Sequence, residues 1–166
     1  MHTKAGAAAS DARVWGQLRR EEFRSIVAAS CGDRIVLGAD LRAAAPSGPF
    51  HLIIDSVGGS ALSAALSMLA PGGTCVHFGV SEAATTTFES RDFFTTGGVK
   101  LYGLALFHEL RRREPAAEGL ALLAGLVADR MLRPYIAIEA SWTEIGAIAR
   151  RLLDRAFAGK AVLHLT

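Results

Sequence analysis

Asp55, His77 and the adjacent pair His108-Glu109 are the side chains whose types and spacing suit proton transfer. Asp55 closes one apolar run, His77 lies within a second, and His108-Glu109 follow a third. If those runs are strands of one parallel sheet, the four groups converge on its C-terminal edge, where a carboxylate and an imidazole can serve as acid and base. Each group also has a plain structural reading. A lone histidine in a strand is usually half-buried with its hydrogen bonds satisfied, and His108-Glu109 reads as a polar loop at that edge. Asp55, His108 and Glu109 are the catalytic candidates; Lys160, just before the last apolar run, reads as solvated. Cys31 and Cys75 are too few and too far apart for a disulfide framework or a zinc spacing, so no metal site is expected.

These groups need elements to hold them, and the clearest lie between Pro49 and Val80. Phe50 to Ile54 is a short apolar run between Pro49 and Gly58, which predicts a strand buried on both faces. Ser60 is a cap for a helix over Ala61 to Ala70, whose Leu62, Ala65, Leu66 and Leu69 share one face. Pro71-Gly72-Gly73 stops that helix, and Thr74 to Gly79 forms the next strand. A β-α-β unit of this kind has parallel strands. Upstream, the pattern predicts a helix over Gln17 to Ser30, stopped by Gly32, a strand over Arg34 to Gly38, and a connection over Ala39 to Gly48. Downstream it predicts a polar loop, a short helix from Ser90 or Arg91 to Gly97-Gly98, and a strand over Val99 to Leu106. Gly103 within that strand suggests close approach of backbone or ligand. A helix over Glu114 to Met131 follows, opened by Pro115 and burying Leu120, Leu123, Leu126 and Val127. Then come a strand over Pro134 to Ala140, a helix opened by the Ser141 to Glu144 capping box and running to about Phe157, and a strand over Ala161 to Leu165. Alternation of this kind means an α/β layered fold with a mostly parallel sheet.

The ordered series IIDSVGGSALSAALSMLAPGGTCVHFG, LYGLALFHEL, LVADRMLRP and SWTEIGAIARRLLDRAFAGKAVLHL resembles the C-terminal half of medium-chain dehydrogenases/reductases, in particular their quinone-oxidoreductase-like branch, from about Ile35 onward. The resemblance implies an incomplete Rossmann-like domain over residues 17–166 after a flexible leader over 1–16. It lacks the family's N-terminal catalytic domain and the first β-α unit with its G-x-G-x-x-G turn, which cradles the cofactor pyrophosphate. It implies NAD or NADP as cofactor, against which the absent glycine turn counts directly, and no zinc. It also implies that the strand ends facing the nicotinamide correspond to Ser56, Val57 and Gly58, to Phe78, Gly79 and Val80, and to Leu104, Ala105 and Leu106. The alternative reading of these positions is that turns need the glycines and that Phe78 belongs to the core.

Three functions follow from this. One is an NAD(P)H-dependent oxidoreductase acting on a small carbonyl or enone. The second is a cofactor-independent cyclase, dehydratase or isomerase for a small hydrophobic substrate, and the third a non-catalytic dimeric or partner-binding subunit. A methyltransferase fits IIDSVGG and LAPGG but not the WTEI and GKAVL segments. The 166 residues are enough for one domain burying about 70% of its unfolded surface. With 51% hydrophobic and 20% charged residues the chain is globular, and a net charge of +2 without a basic patch argues against nucleic acid. No signal-peptide core and no apolar run of about 18 residues occurs, so a cytoplasmic protein without a membrane partner is expected. Edges left bare predict a homodimer through Val99 to Leu106, with strand Arg34 to Gly38 lying beside Phe50 to Ile54.

Overall fold

Every strand ladder in the computed structural model is parallel, and the model describes residues 12–31, 34–82, 84–112 and 116–165. A parallel pair cannot be joined by a tight turn, so a helical crossover follows nearly every strand. β1 (Gly16–Leu18) leads through α1 (Arg24–Cys31) to its partner β2 (Ile35–Leu37). β3 (Phe50–Asp55), α2 (Gly59–Ser67), β4 (Leu69–His77), α3 (Ser90–Thr96) and β5 (Lys100–Gly103) build a three-stranded sheet in the order β3-β4-β5. After α4 (Leu106–Arg112) and α5 (Ala116–Ala128), β6 (Ile136–Ser141) pairs with β7 (Lys160–His164) across α6 (Ile145–Leu153). The expected α/β class and the β-α-β unit are both present.

Several expected boundaries move. The segment from Gln17 does not start as a helix: β1 occupies Gly16–Leu18, a 3-10 turn follows over Glu21–Phe23, and α1 begins only at Arg24. Gly16, assigned to the leader, is thus a strand residue, while residues 1–11 of that leader, Gly32 and Pro115 lie outside the described residues. β2 pairs with β1 and not with β3, so the expected neighbour of Phe50 to Ile54 is not Arg34 to Gly38. The two units still touch. Val36 packs with Phe50 and Ile53 around Ala44, Ala64 and Met68, and the Trp15 ring meets Phe50 edge-on at 5.7 Å. Side chains thus join what no ladder joins.

The core is built by the helical face read from sequence. Leu62, Ala65, Leu66 and Leu69 gather with Cys75, and Leu41, Ile53, Phe93 and Val99 close around them. Leu69, however, is already in β4, because α2 ends at Ser67 and the strand runs straight through Pro71-Gly72-Gly73. A register shift between Phe50 and Leu52 absorbs this irregular stretch. Gly73 is confined there: a Cβ would lie 2.8 Å from the Ala70 carbonyl oxygen and 3.0 Å from that of Phe50. β3 is not buried on both faces, since His51 and Leu52 are exposed. The Ser141 to Glu144 capping box is present, with the Ser141 hydroxyl accepting from Thr143 N–H and Glu144 accepting from Ser141 N–H, both at 3.3 Å. By contrast α5 buries none of its residues. Its amphipathic reading fails because an apolar stripe is buried only where another layer lies on it, and Leu120 is 65% exposed.

Candidate functional site

Ladder register decides which chemistry-bearing residues meet. Asp55 is opposite His77, and His77 opposite Gly103, so the last residues of β3, β4 and β5 form one row across the sheet. Backbone bonds then tie the strand ends together: Phe78 N–H donates to the Asp55 carbonyl at 3.0 Å, and Leu104 N–H to that of His77 at 2.8 Å. The loop after β4 is pinned through Ser81 and Glu82 N–H groups on the Val57 carbonyl. Strand C-termini of open α/β sheets are where ligands bind.

Within the row, Asp55 and His77 form a pair. His77 Nδ1 is 2.7 Å from Asp55 Oδ2, which also accepts from Gly58 N–H at 3.1 Å, while Oδ1 accepts from Val57 N–H at 3.2 Å. The carboxylate is 4% exposed. It therefore shapes the turn into α2, where Gly58 serves as N-cap at φ 76° in place of the expected Ser60. Its burial is compensated by three donors, the condition for keeping such a group inside.

The remaining candidates lie elsewhere on the same edge. His108 and Glu109 are not in a loop but in α4, whose first turn is closed by His108 and Glu109 N–H groups on the Ala105 carbonyl. Leu106 likewise opens this helix and does not end a strand; β5 stops at Gly103 because Leu104 and Ala105 already turn. Glu109 accepts from the Tyr102 hydroxyl, and His108 Nε2 is 3.4 Å from Arg112. Tyr102, Gly103, His108, Glu109 and Arg112 line a cavity of about 200 Å³. Gly103 belongs to both groups, facing His77 across the ladder and the cavity beside α4. Ser56, Phe78 and Val80 are exposed, Val57 and Leu104 half-buried, and Gly58 buried. A larger hollow of about 450 Å³ between Arg42, Ser63, Ser67, Phe88 and Asp92 contains none of the expected site residues. Nothing in the sequence spacing marks Tyr102 or Arg112 as residues of this edge.

Beneath the row sits Cys75. Burial pushes its thiol up to about 12, and the negative charge of Asp55 adds to this. An unfolded thiol titrates near 8.5. Above that pH the unfolded chain loses the proton first, so this contribution to stability is complete below about 8.5 and declines as pH rises toward 12. In a Cys31→Ser background, iodoacetamide at pH 8.5 should leave Cys75 unmodified in the folded protein and label it once urea is added; rapid labelling without urea would contradict its burial.

The family profile of the zinc-binding dehydrogenases matches residues 6–124, more than half of the chain. The chain belongs to the zinc-binding dehydrogenase family. Solved structures agree on the fold. A mycobacterial quinone oxidoreductase superposes with a TM-score of 0.83 at 20% identity, covering 97% of this chain and 51% of that one. A 2-haloacrylate reductase gives 0.80 at 22% identity, covering 98% and 52%. A mycobacterial protein complexed with NADPH gives 0.77 at 20%, covering 97% and 51%. This zinc-binding dehydrogenase homologue therefore spans about half the length of these relatives. No curated protein matches it. The metal in the family name finds no fit here: among the described residues no three His, Cys, Asp or Glu side chains stand together as ligands. No helix among them is long and apolar enough to cross a membrane.

Proposed function

We propose that the chain is the cofactor-facing half of an NAD(P)H-dependent oxidoreductase of the quinone-reductase type, acting on a small carbonyl or enone. The observation that carries this reading is the row of strand ends, where two of the closing positions offer backbone without side chains. At Gly79 a Cβ would lie 3.2 Å from the Ser56 carbonyl oxygen, and at Gly103 nothing lies within 4 Å of where a Cβ would be. A flat ring can approach such an edge closely. Ser56, Val57 and Gly58, then Phe78, Gly79 and Val80, then Leu104, Ala105 and Leu106 would hold the nicotinamide end, which when bound gives or accepts a hydride. The family match and the relative complexed with NADPH support the reading. Asp55 and His77 orient one another beside that edge, and His77 can hold the proton that a reduced carbonyl must gain.

Calorimetric titration with NADPH and NADH up to about 1 mM should give saturable binding of at least one. Absence of heat with both would overturn the proposal. We also infer a homodimer through Val99 to Leu106. Among the described residues β5 is the last strand in the order β3-β4-β5 and its Leu101 is exposed, an arrangement that favours pairing with a second copy. Solution scattering should report twice the mass of one chain; a monodisperse monomer would refute the dimer.

A further inference from the structure

We propose that Arg19 and Glu82 form a clip that positions the Phe78 to Val80 segment on the edge of the central sheet and places it under the control of the β1-β2 unit. Backbone bonds fasten the segment at both ends. Phe78 N–H donates to the Asp55 carbonyl at 3.0 Å, and Ser81 and Glu82 N–H donate to the Val57 carbonyl at 3.1 and 3.0 Å. Between these fastenings the segment lies directly on the turn into α2, since a Cβ on Gly79 would meet the Ser56 carbonyl oxygen at 3.2 Å. β4 has already ended at His77, so no ladder holds the far end. What holds Glu82 therefore holds the segment.

Three contacts hold Glu82. Its Oε2 accepts from the Arg19 guanidinium at 3.1 Å, 63 residues away in sequence and just beyond β1. Its Oε1 accepts from the Ser60 hydroxyl in the first turn of α2 at 3.3 Å, and its N–H grips Val57. An exposed ion pair adds little to stability by itself. This one matters by its place, because it joins two units that share no ladder. From Val57 the contacts run on: its N–H donates to Asp55 Oδ1, and Asp55 Oδ2 meets His77 Nδ1. A connected run of hydrogen bonds thus leads from the loop beyond β1 to the carboxylate-imidazole pair, and coupling travels through such networks. Release of β1-β2 withdraws Arg19 and loosens the Val57 fastening. Arg19 and Glu82 are positioning residues, and their consequence for NAD(P)H rests on the oxidoreductase reading above.

Amide hydrogen exchange followed by ¹⁵N NMR tests the clip without any nucleotide. Ser81 N–H should exchange about fivefold faster in Glu82→Gln and in Arg19→Ala, the effect of losing one exposed charge pair. Leu104 N–H, bonded to the His77 carbonyl on the same sheet, should keep its rate. The reversed pair, Arg19→Glu with Glu82→Arg, should bring Ser81 back to within about twofold of the unaltered protein. In the unaltered protein, about 0.5 M NaCl should reproduce the acceleration by screening the pair. A Ser81 rate unmoved by either single substitution, an equal acceleration of Leu104, or no rescue by the reversed pair would each overturn the clip. Calorimetry then reads the coupling: Glu82→Gln should weaken NADPH or NADH binding about fivefold, and an unchanged affinity would overturn the control of that edge by β1-β2. No nucleotide binding by the unaltered protein would remove the oxidoreductase reading, while Ser81 exchange would still decide the clip.

Discussion

Asp55→Ala should cost about 3 kcal/mol of folding free energy, measured by urea denaturation, although it removes only three heavy atoms. The reason is what stays behind. Val57 N–H, Gly58 N–H and His77 Nδ1–H all donate to this carboxylate, and two of the three belong to the buried turn that starts α2. An orphaned buried donor costs about 1–3 kcal/mol, far more than the net gain from a single satisfied bond. Asp55→Asn should cost less, because the amide keeps the shape and one accepting oxygen for the backbone. Equal losses for the two variants would mean that the turn depends on the charge and not on the hydrogen bonds. A loss below about 1 kcal/mol for Asp55→Ala would show that the turn holds without the side chain.

Leu66→Ala should cost about 3 kcal/mol, whereas Leu120→Ala should stay within about 0.5 kcal/mol. Both are leucines on apolar helices, and only their surroundings differ. Leu66 is 5% exposed and packs with Leu62, Ala65, Leu69 and Cys75, so truncation leaves a cavity among helix and strand side chains. Leu120 faces solvent and leaves none. Thermal or urea unfolding of the two variants decides the ranking; a comparable loss for Leu120→Ala would mean that another surface covers α5 in solution.

The same contrast explains what could be read from the sequence. The Leu62, Ala65, Leu66 and Leu69 pattern gave the right core because α2 lies on the sheet that follows it, so periodicity and burial coincide. Leu120, Leu123 and Val127 have the same periodicity, but burial depends on a neighbouring layer that spacing within one helix does not encode. β1 went unseen because three residues are too few to show a period of two, and the helix-like pattern downstream extended over them. At the site, the convergence of Asp55 and His77 on one sheet edge was legible, and their exact register was not. With the first strand ended at Ile54 and the second at Gly79, Asp55 and His77 fall out of step; ended at Asp55 and His77, two parallel strands place those side chains opposite each other. The polar reading of His108-Glu109 overlooked that a short helix can follow a strand after only two residues, as α4 follows β5 here.

Because the β1-β2, β3-β4-β5 and β6-β7 sheets share no ladder, nothing in the backbone obliges them to melt together. Among the described residues the links between β1-β2 and the central sheet are side-chain contacts: Trp15 on Phe50, Val36 and Ile53 on the same Ala44, Ala64 and Met68 cluster, and an Arg19 guanidinium donating to Glu82 at 3.1 Å. Such junctions open at lower free energy than ladders do, so β1-β2 is expected to release before the central sheet. A single midpoint is then a property of the reporter as much as of the protein. Trp15 sits at one of these seams and Trp142 beyond the end of β6, so the two indoles observe different parts of the unfolding, and neither lies in the sheet that carries Asp55 and His77.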